Sequence, residues 1–335
     1  MSRNNRHRGS SNRGTQHIPP HDTLTCAFPS HPSVSGSAIV DTHTHLVLTF
    51  AAYRSSYPSG WYSSIFELVR GIYKGRGVET IIDVWHNPAE FMPRPGKGWR
   101  RLADAPEEQW GGVNYRFVIG VHPHEAKYFT PAVEAEIIIA LSHPLCVGLG
   151  EIGLDYHYTR SPQDVQKTVF AQQLKLAVEK GKPLTIHTRK AEEDTERIMK
   201  ENIPKDHPVH VHCFTDSPDF ALRLLSHFPN LHIGLTGVVT FSTNLNTADL
   251  LRQMVRSRDT FRIVLETDAP YMVPSNVYSA LLADPTFTKQ TRLPLSHSLM
   301  IPFTAQYVAS VLGGAWDTKG VLTAGREGAK RVYGV

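Results

Sequence analysis

Six residues stand out because their types and spacing fit metal-assisted acid–base chemistry. His43 and His45 sit at i, i+2 in DTHTHL, Glu151 in GEIGLDY, His187 in IHTR, His212 in HCF and Asp268 in ETDAPY. Imidazoles and carboxylates are the nitrogen and oxygen donors of Zn2+, Mn2+ and Mg2+ sites, in different proportions. Four histidines and two carboxylates are more than one tetrahedral zinc takes. With Glu151 shared, they suffice for two divalent metal ions. Each residue also has a plain structural alternative. H-x-H occurs on many strands, Asp268 can begin a turn before Pro270, and Glu151 can be a buried, paired carboxylate. The deciding point is where the backbone puts all six.

Short β-branched runs recur along the chain at 38–43, 80–85, 115–121, 145–152, 183–188, 208–214, 231–237 and 262–268. They read as near-continuous apolar runs, as strands covered on both faces do. Helical periodicity lies between them, over 61–75, 131–142, 162–180, about 217–227, 245–256, 299–312 and 317–333. Eight alternating units predict an α/β fold, a (β/α)8 TIM barrel, with a doubly wound open sheet as the other possibility. Alternation along the first strand puts His43 and His45 on one face. Glu151 is expected at the end of the fourth strand, His187 of the fifth, His212 of the sixth and Asp268 of the eighth. All six then meet on the carboxyl rim, where barrel enzymes place their chemistry. Two Pro-rich inserts, about 86–112 and 269–297, are expected to border that rim. Asp41, two residues before His43, is expected to support the site from below. His210 reads as a satisfied buried histidine and Cys213 as a residue packed under a helix.

Composition narrows the classes of function. The chain has 335 residues and a formal charge of +4, of which four arginines against Asp22 place +3 in residues 1–38. The remainder is near neutral, so net charge alone does not argue for nucleic acid. Residues 1–37 read as a disordered basic tail ahead of a barrel over 38–335. Three cysteines without a C-x-x-C pair fit a reducing compartment, the cytoplasm and/or the nucleus. No apolar run reaches a membrane span, and the chain is expected to act as a monomer.

The ordered set DTHTHL, GVHPH, GEIGLDY, IHTR, HCF and ETDAPY resembles the TatD-type metal-dependent hydrolases, deoxyribonucleases of the amidohydrolase-like barrel group. The resemblance runs over about residues 38–335. It implies a (β/α)8 barrel with two divalent metals, one held by His43, His45, Glu151 and Asp268, the other by Glu151, His187 and His212. The sequence departs from the family in a longer loop after DTHTHL, in the 86–112 insert, and in lacking the Arg-x-Glu-Pro segment and the last-helix asparagine.

The expected reaction is hydrolysis of an ester bond, with Asp268 and Glu151 as catalytic residues and Asp268 as the base that orients or deprotonates water. The resemblance implies DNA as substrate, as single strands or ends, cut exonucleolytically. Arg189 can bind phosphate or pair with Glu192 or Glu193. His122 and His124 can bind phosphate or protonate the leaving oxygen, and His157 can line the cleft or pack. The segment RPGKGWRR (94–101) can track a backbone and stack a base through Trp99, or be a solvated loop balanced by Asp104, Glu107 and Glu108. Two other readings remain: hydrolysis of another ester, amide or aminoacyl bond, and a barrel that binds a protein partner through its tail or rim inserts.

Overall fold

The computed structural model describes residues 17–24, 36–94, 96–256 and 261–335. Among them, eight strands lie in sequence order in one parallel sheet: β1 (Ile39–Thr44), β2 (Val78–Trp85), β3 (Asn114–Ile119), β4 (Cys146–Asp155), β5 (Leu184–Arg189), β6 (Val209–Val211), β7 (Leu231–Leu235) and β8 (Ile263–Leu265). Their side chains are buried almost throughout, because the barrel interior covers one face and helices the other. The helices are α1 (Leu46–Ser56), α2 (Ile65–Tyr73), α3 (Pro88–Phe91), α4 (Arg100–Ala103), α5 (Pro131–Leu141), α6 (Gln163–Lys180), α7 (Glu192–Asn202), α8 (Pro218–His227), α9 (Leu245–Met254), α10 (Asn276–Leu281), α11 (Ile301–Leu312) and α12 (Thr318–Tyr333).

Local chemistry sets the helix ends. The Thr130 and Ser217 hydroxyls accept from the Val133 and Phe220 amides, with proline at the first helical position of α5 and α8. Gly181 ends α6 in the left-handed conformation at φ 59°. The strand runs expected at 208–214 and 262–268 end early, because Cys213 and Asp268 take positive φ of 45° and 53°.

The ends of β8 and β1 are stitched together by three hydrogen bonds. The Asp268 amide donates to the His43 carbonyl (2.8 Å), the His45 amide donates to the Ala269 carbonyl (2.9 Å), and the Thr42 hydroxyl donates to the Leu265 carbonyl (3.1 Å). Asp41 adds a fourth tie: its carboxylate accepts from the Thr267 amide and hydroxyl and from the Ser298 hydroxyl. This is the supporting place expected for it.

Two expectations change here. Residues 1–16 and 25–35 of the expected tail lie outside the described residues, but 17–24 pack against the barrel. His17 exchanges backbone bonds with Gln290 and Arg292, the Tyr57 hydroxyl donates to the Pro19 carbonyl, and His21 sits among the rings of Tyr53, Tyr57, Trp61 and Tyr62. Leu24 is fully buried, so this stretch has an apolar reason to dock. The 86–112 insert is anchored rather than open. Trp99 is 2% exposed, stacks on Phe117 and donates its indole N–H to Glu136 Oε1 at 2.7 Å. Trp99 is therefore a core residue and not a base-stacking one, and Arg100 is paired with the same Glu136.

Candidate metal centre

Glu151 is the hub of the carboxyl rim. It does not end β4, as expected, but lies four residues before its end, where the register with β5 shifts between Gly150 and Ile152. Its Oε1 is 2.9 Å from His187 Nδ1, 3.3 Å from His212 Nε2 and 3.4 Å from His122 Nε2, and its Oε2 is 3.5 Å from His43 Nε2. His43 and His45 present their Nε2 atoms 3.3 Å apart, and Asp268 Oδ1 lies 3.2 Å from His45 Nε2 and 3.7 Å from His43 Nε2. The structure thus brings all six expected ligands together. It adds His122 to the hub and places Cys213 beside His212 and Asp268. Cys213 faces the cavity instead of a helix, because its positive φ breaks the strand alternation.

A second ring of carboxylates holds the imidazoles. Asp155 Oδ2 accepts from His124 Nε2 (2.9 Å) and from His187 Nε2 (3.3 Å), so His187 turns Nδ1 toward Glu151. Below, Glu266 Oε1 accepts from the Cys213 amide (2.6 Å) and faces His212 Nδ1 (3.6 Å), while Oε2 faces His210 Nε2 (3.0 Å). His210 is buried as expected, with Nδ1 at 2.8 Å from the Tyr333 hydroxyl. His122 Nδ1 accepts from the His124 amide, which leaves Nε2 to carry the proton toward Glu151. Asp155, Glu266 and His86, whose ring lies 4.7 Å from that of His45, were not foreseen.

The electrostatics follow from burial and charge. Glu151 is held well below the ordinary carboxylate range: burial opposes ionisation, but His122 and His212 outweigh it. His212 is raised well above the ordinary histidine range, since Glu151 and Glu266 overcome burial. His187 and His45 are also raised despite burial, by Asp155 and Glu151 and by Asp268 respectively. Burial, and next the His212 charge, push His43 down to about 4; burial also pushes His122 down to about 4. Burial drives the Cys213 thiol up to about 12, so it is no thiolate nucleophile at neutral pH.

A cavity of about 720 Å³ opens above these groups. Its walls carry His86, Asn87 and Glu90 from the first insert, Tyr271 and Met272 from the second, Tyr158 and Arg160 from the loop after β4, and Arg189 from the end of β5. His122, His124 and Arg189 line it; His157 does not and instead props the Tyr158 ring edge-on at 4.4 Å. Arg189 forms no pair with Glu192, whose carboxylate accepts from the Ser217 amide and hydroxyl.

The donor set fits divalent ions. His43 Nδ1 is buried with no hydrogen-bond partner, and four overlapping groups of ligand atoms share Glu151, His43 or His212. Imidazole nitrogens and carboxylate oxygens converging this closely are the donor types that divalent ions take.

Comparison with known proteins places this geometry. The sequence model described as TatD related DNase matches residues 40–334. The human 3'-5' RNA nuclease TATDN2 is 44% identical over 163 residues, 48% of this chain and 21% of that protein. The 3'-5' ssDNA/RNA exonuclease TatD of Musicola paradisiaca (strain Ech703) is 30% identical over 217 residues, 64% of this chain and 75% of that protein. The chain spans between about a fifth and three-fifths of the length of the first relatives it matches. Among solved structures, the TatD-family hydrolase of Entamoeba histolytica superposes with a TM-score of 0.68 at 16% identity, covering 89% of this chain and 98% of that one. The Escherichia coli K12 TatD homologue YJJV gives 0.64 at 20% identity, covering 89% and 98%. These likenesses show the same barrel fold. With the match running from the first strand to the last helix and the six motifs meeting at one rim, the chain belongs to the TatD-related DNase family.

Proposed function

We propose that this chain is a metal-dependent nuclease that hydrolyses phosphodiester bonds of single-stranded nucleic acid, DNA in the first instance, from an end. The observation that carries this reading is Glu151, a buried carboxylate with four imidazole nitrogens within 2.9–3.5 Å at the floor of an open cavity. In this reading His43, His45, Glu151 and Asp268 hold one divalent ion, and Glu151, His187 and His212 a second. Mg2+, Mn2+ and Zn2+ are the candidates. When bound, such ions supply Lewis acidity that activates water and offsets phosphate charge.

The chain's own groups do the rest. Asp268, at the cavity wall, takes the proton of the attacking water. Asp155 fixes the ring of His187, and Glu266 that of His212, which keeps their inward nitrogens aimed. His122 keeps a neutral ring against Glu151, and His124, tied to Asp155, stands nearer the leaving group. We place substrate phosphate against Arg189, with His157 kept in a propping role. That relatives are an RNA nuclease and an ssDNA/RNA exonuclease supports nucleic acid as substrate. We take residues 38–335 as one catalytic barrel acting as a monomer in the cytoplasm and/or nucleus, where the unpaired Cys146 and Cys213 stay reduced. No described helix is long and apolar enough to cross a membrane.

The test is metal content together with hydrolysis of end-labelled single-stranded DNA, single-stranded RNA and duplex DNA, with and without EDTA. Metal-dependent trimming of a single strand, lost in Glu151→Gln, is expected. Bound metal without cleavage of any nucleic acid would move the reading to another ester or amide bond. Undiminished cleavage by Glu151→Gln would refute the shared-carboxylate site.

A further inference from the structure

We propose that Arg160 and Arg189, organised on the ring of Tyr158, form a clamp for a backbone phosphate next to the scissile one. The inference rests on the nuclease reading and adds how a strand is gripped. Tyr158 is 45% exposed and lines the same cavity as Glu151 and Asp268. The guanidinium carbon of Arg189 lies 5.0 Å from its ring centroid and that of Arg160 5.9 Å. Both arginines are exposed at the mouth, and neither has a carboxylate partner among the described residues. Each guanidinium thus lies within 6 Å of one ring centroid, and the aromatic ring steadies both. A backbone phosphate within reach of both accepts from their N–H forks and neutralises them.

The clamp is fixed to the metal centre by one carboxylate. Asp155 Oδ1 accepts from the amides of His157 and Tyr158, both at 2.9 Å, while its Oδ2 holds His124 and His187. Arg160 is secured from the other side, since Lys127 Nζ donates to its carbonyl at 2.9 Å. Glu90 and Glu125 line the same cavity and offer a strand no positive charge, so the grip falls to the two arginines.

The test compares a dinucleotide, a trinucleotide and a longer single strand on the purified, metal-loaded chain. Adding the neighbouring phosphate is expected to raise kcat/KM about tenfold or more, the size of a hydrogen bond to a charged group. Arg160→Ala and Arg189→Ala are each expected to abolish that gain, mainly through KM, and to lower the salt dependence of strand binding by about 0.7 in log–log slope. Tyr158→Phe is expected to keep the gain and Tyr158→Ala to lose most of it. Arg160→Lys should restore the salt slope but only part of the gain. Unchanged length dependence and salt slope in both alanine variants would overturn the clamp. Hydrolysis of bis(p-nitrophenyl) phosphate by the parent chain separates the two readings. If the parent cleaves this ester and the arginine variants bind strands normally, only the clamp fails; if it cleaves no phosphodiester at all, the nuclease reading fails with it.

Discussion

Glu266 offers a test of the layer beneath the metal centre. It is fully buried, and its two oxygens face the Cys213 amide at 2.6 Å, His212 Nδ1 at 3.6 Å and His210 Nε2 at 3.0 Å. The pocket that holds it exists because residue 234 is glycine: a Cβ there would lie 2.4 Å from both Glu266 Oε1 and His210 Nε2. His210 and His212 keep Glu266 ionised against the cost of burial. Glu266→Ala leaves three donors facing a dry gap. An unsatisfied buried donor costs about 1–3 kcal/mol, and breaking one side of a buried ion pair about 3–5 kcal/mol. The two counts describe the same loss, so the expected destabilisation is about 3–5 kcal/mol. At about 2–4 °C per kcal/mol, that lowers Tm by roughly 6–20 °C. Glu266→Gln keeps the volume and an acceptor for the Cys213 amide, and is expected to cost about 1–2 kcal/mol. Both variants free the His212 ring to turn, so metal affinity should fall by about 10–100-fold. The assay is a pair of melts, in EDTA and in Mn2+, with a calorimetric Mn2+ titration. The EDTA melt isolates the fold from the metal. A Glu266→Ala protein that melts within a degree of the parent in EDTA and binds Mn2+ equally well would refute the reasoning.

Two further outcomes concern backbone space and pH. Gly153 has φ 144°, and a Cβ there would lie 1.9 Å from the His187 carbonyl oxygen, so Gly153→Ala should cost more than the roughly 1–2 kcal/mol of backbone strain expected for Gly181→Ala, where φ is 59° and nothing lies within 4 Å. Equal urea midpoints for the two variants would contradict this. His232 donates Nδ1–H to the Asn230 carbonyl and is depressed from 6.5 to about 4, chiefly by burial. The unfolded chain then binds more protons between those values, so stability present above pH 6.5 is lost as pH falls toward 4, by up to about 3 kcal/mol. His232→Asn should flatten that acid limb, and parallel pH curves for parent and variant would count against it.

The strands were legible because each is a β-branched run covered on both faces. Their ends were not, where Cys213 and Asp268 leave extended geometry to aim their neighbours inward. Helices α1 and α7 escaped the periodicity reading for opposite reasons. Leu46–Ser56 is apolar all round its first turns and contrasts no two faces, whereas Glu192–Asn202 has a distinct buried stripe, but only Thr195, Ile198 and Met199 form it in an otherwise charged stretch. The docking of His17–Leu24 was hidden in a polar segment whose anchors, His21 and Leu24, carry no pattern. Trp99 misled because a charged run around a tryptophan looks the same whether the indole faces solvent or Glu136.

At the site, the residues that touch Glu151 were readable and those that hold them were partly so. Glu266 stands two residues before Asp268 just as Asp41 stands two before His43, so the same alternation pointed to it. Asp155 needed the knowledge that β4 continues four residues beyond Glu151. Together these acids set up a gradient that explains the whole mouth. Glu266, Asp155 and Glu151 are buried in the wall and floor, and Asp268 nearly so, while the free cations Arg160 and Arg189 sit at the lip. In the nuclease reading, a phosphodiester is attracted to the lip and repelled by the floor. It reaches the floor only when positive charge is present there. Divalent ions held by these ligands would supply that charge, and would couple their binding to pH by displacing ligand protons. The same acids that aim the imidazoles would then make the cation a condition for substrate to descend.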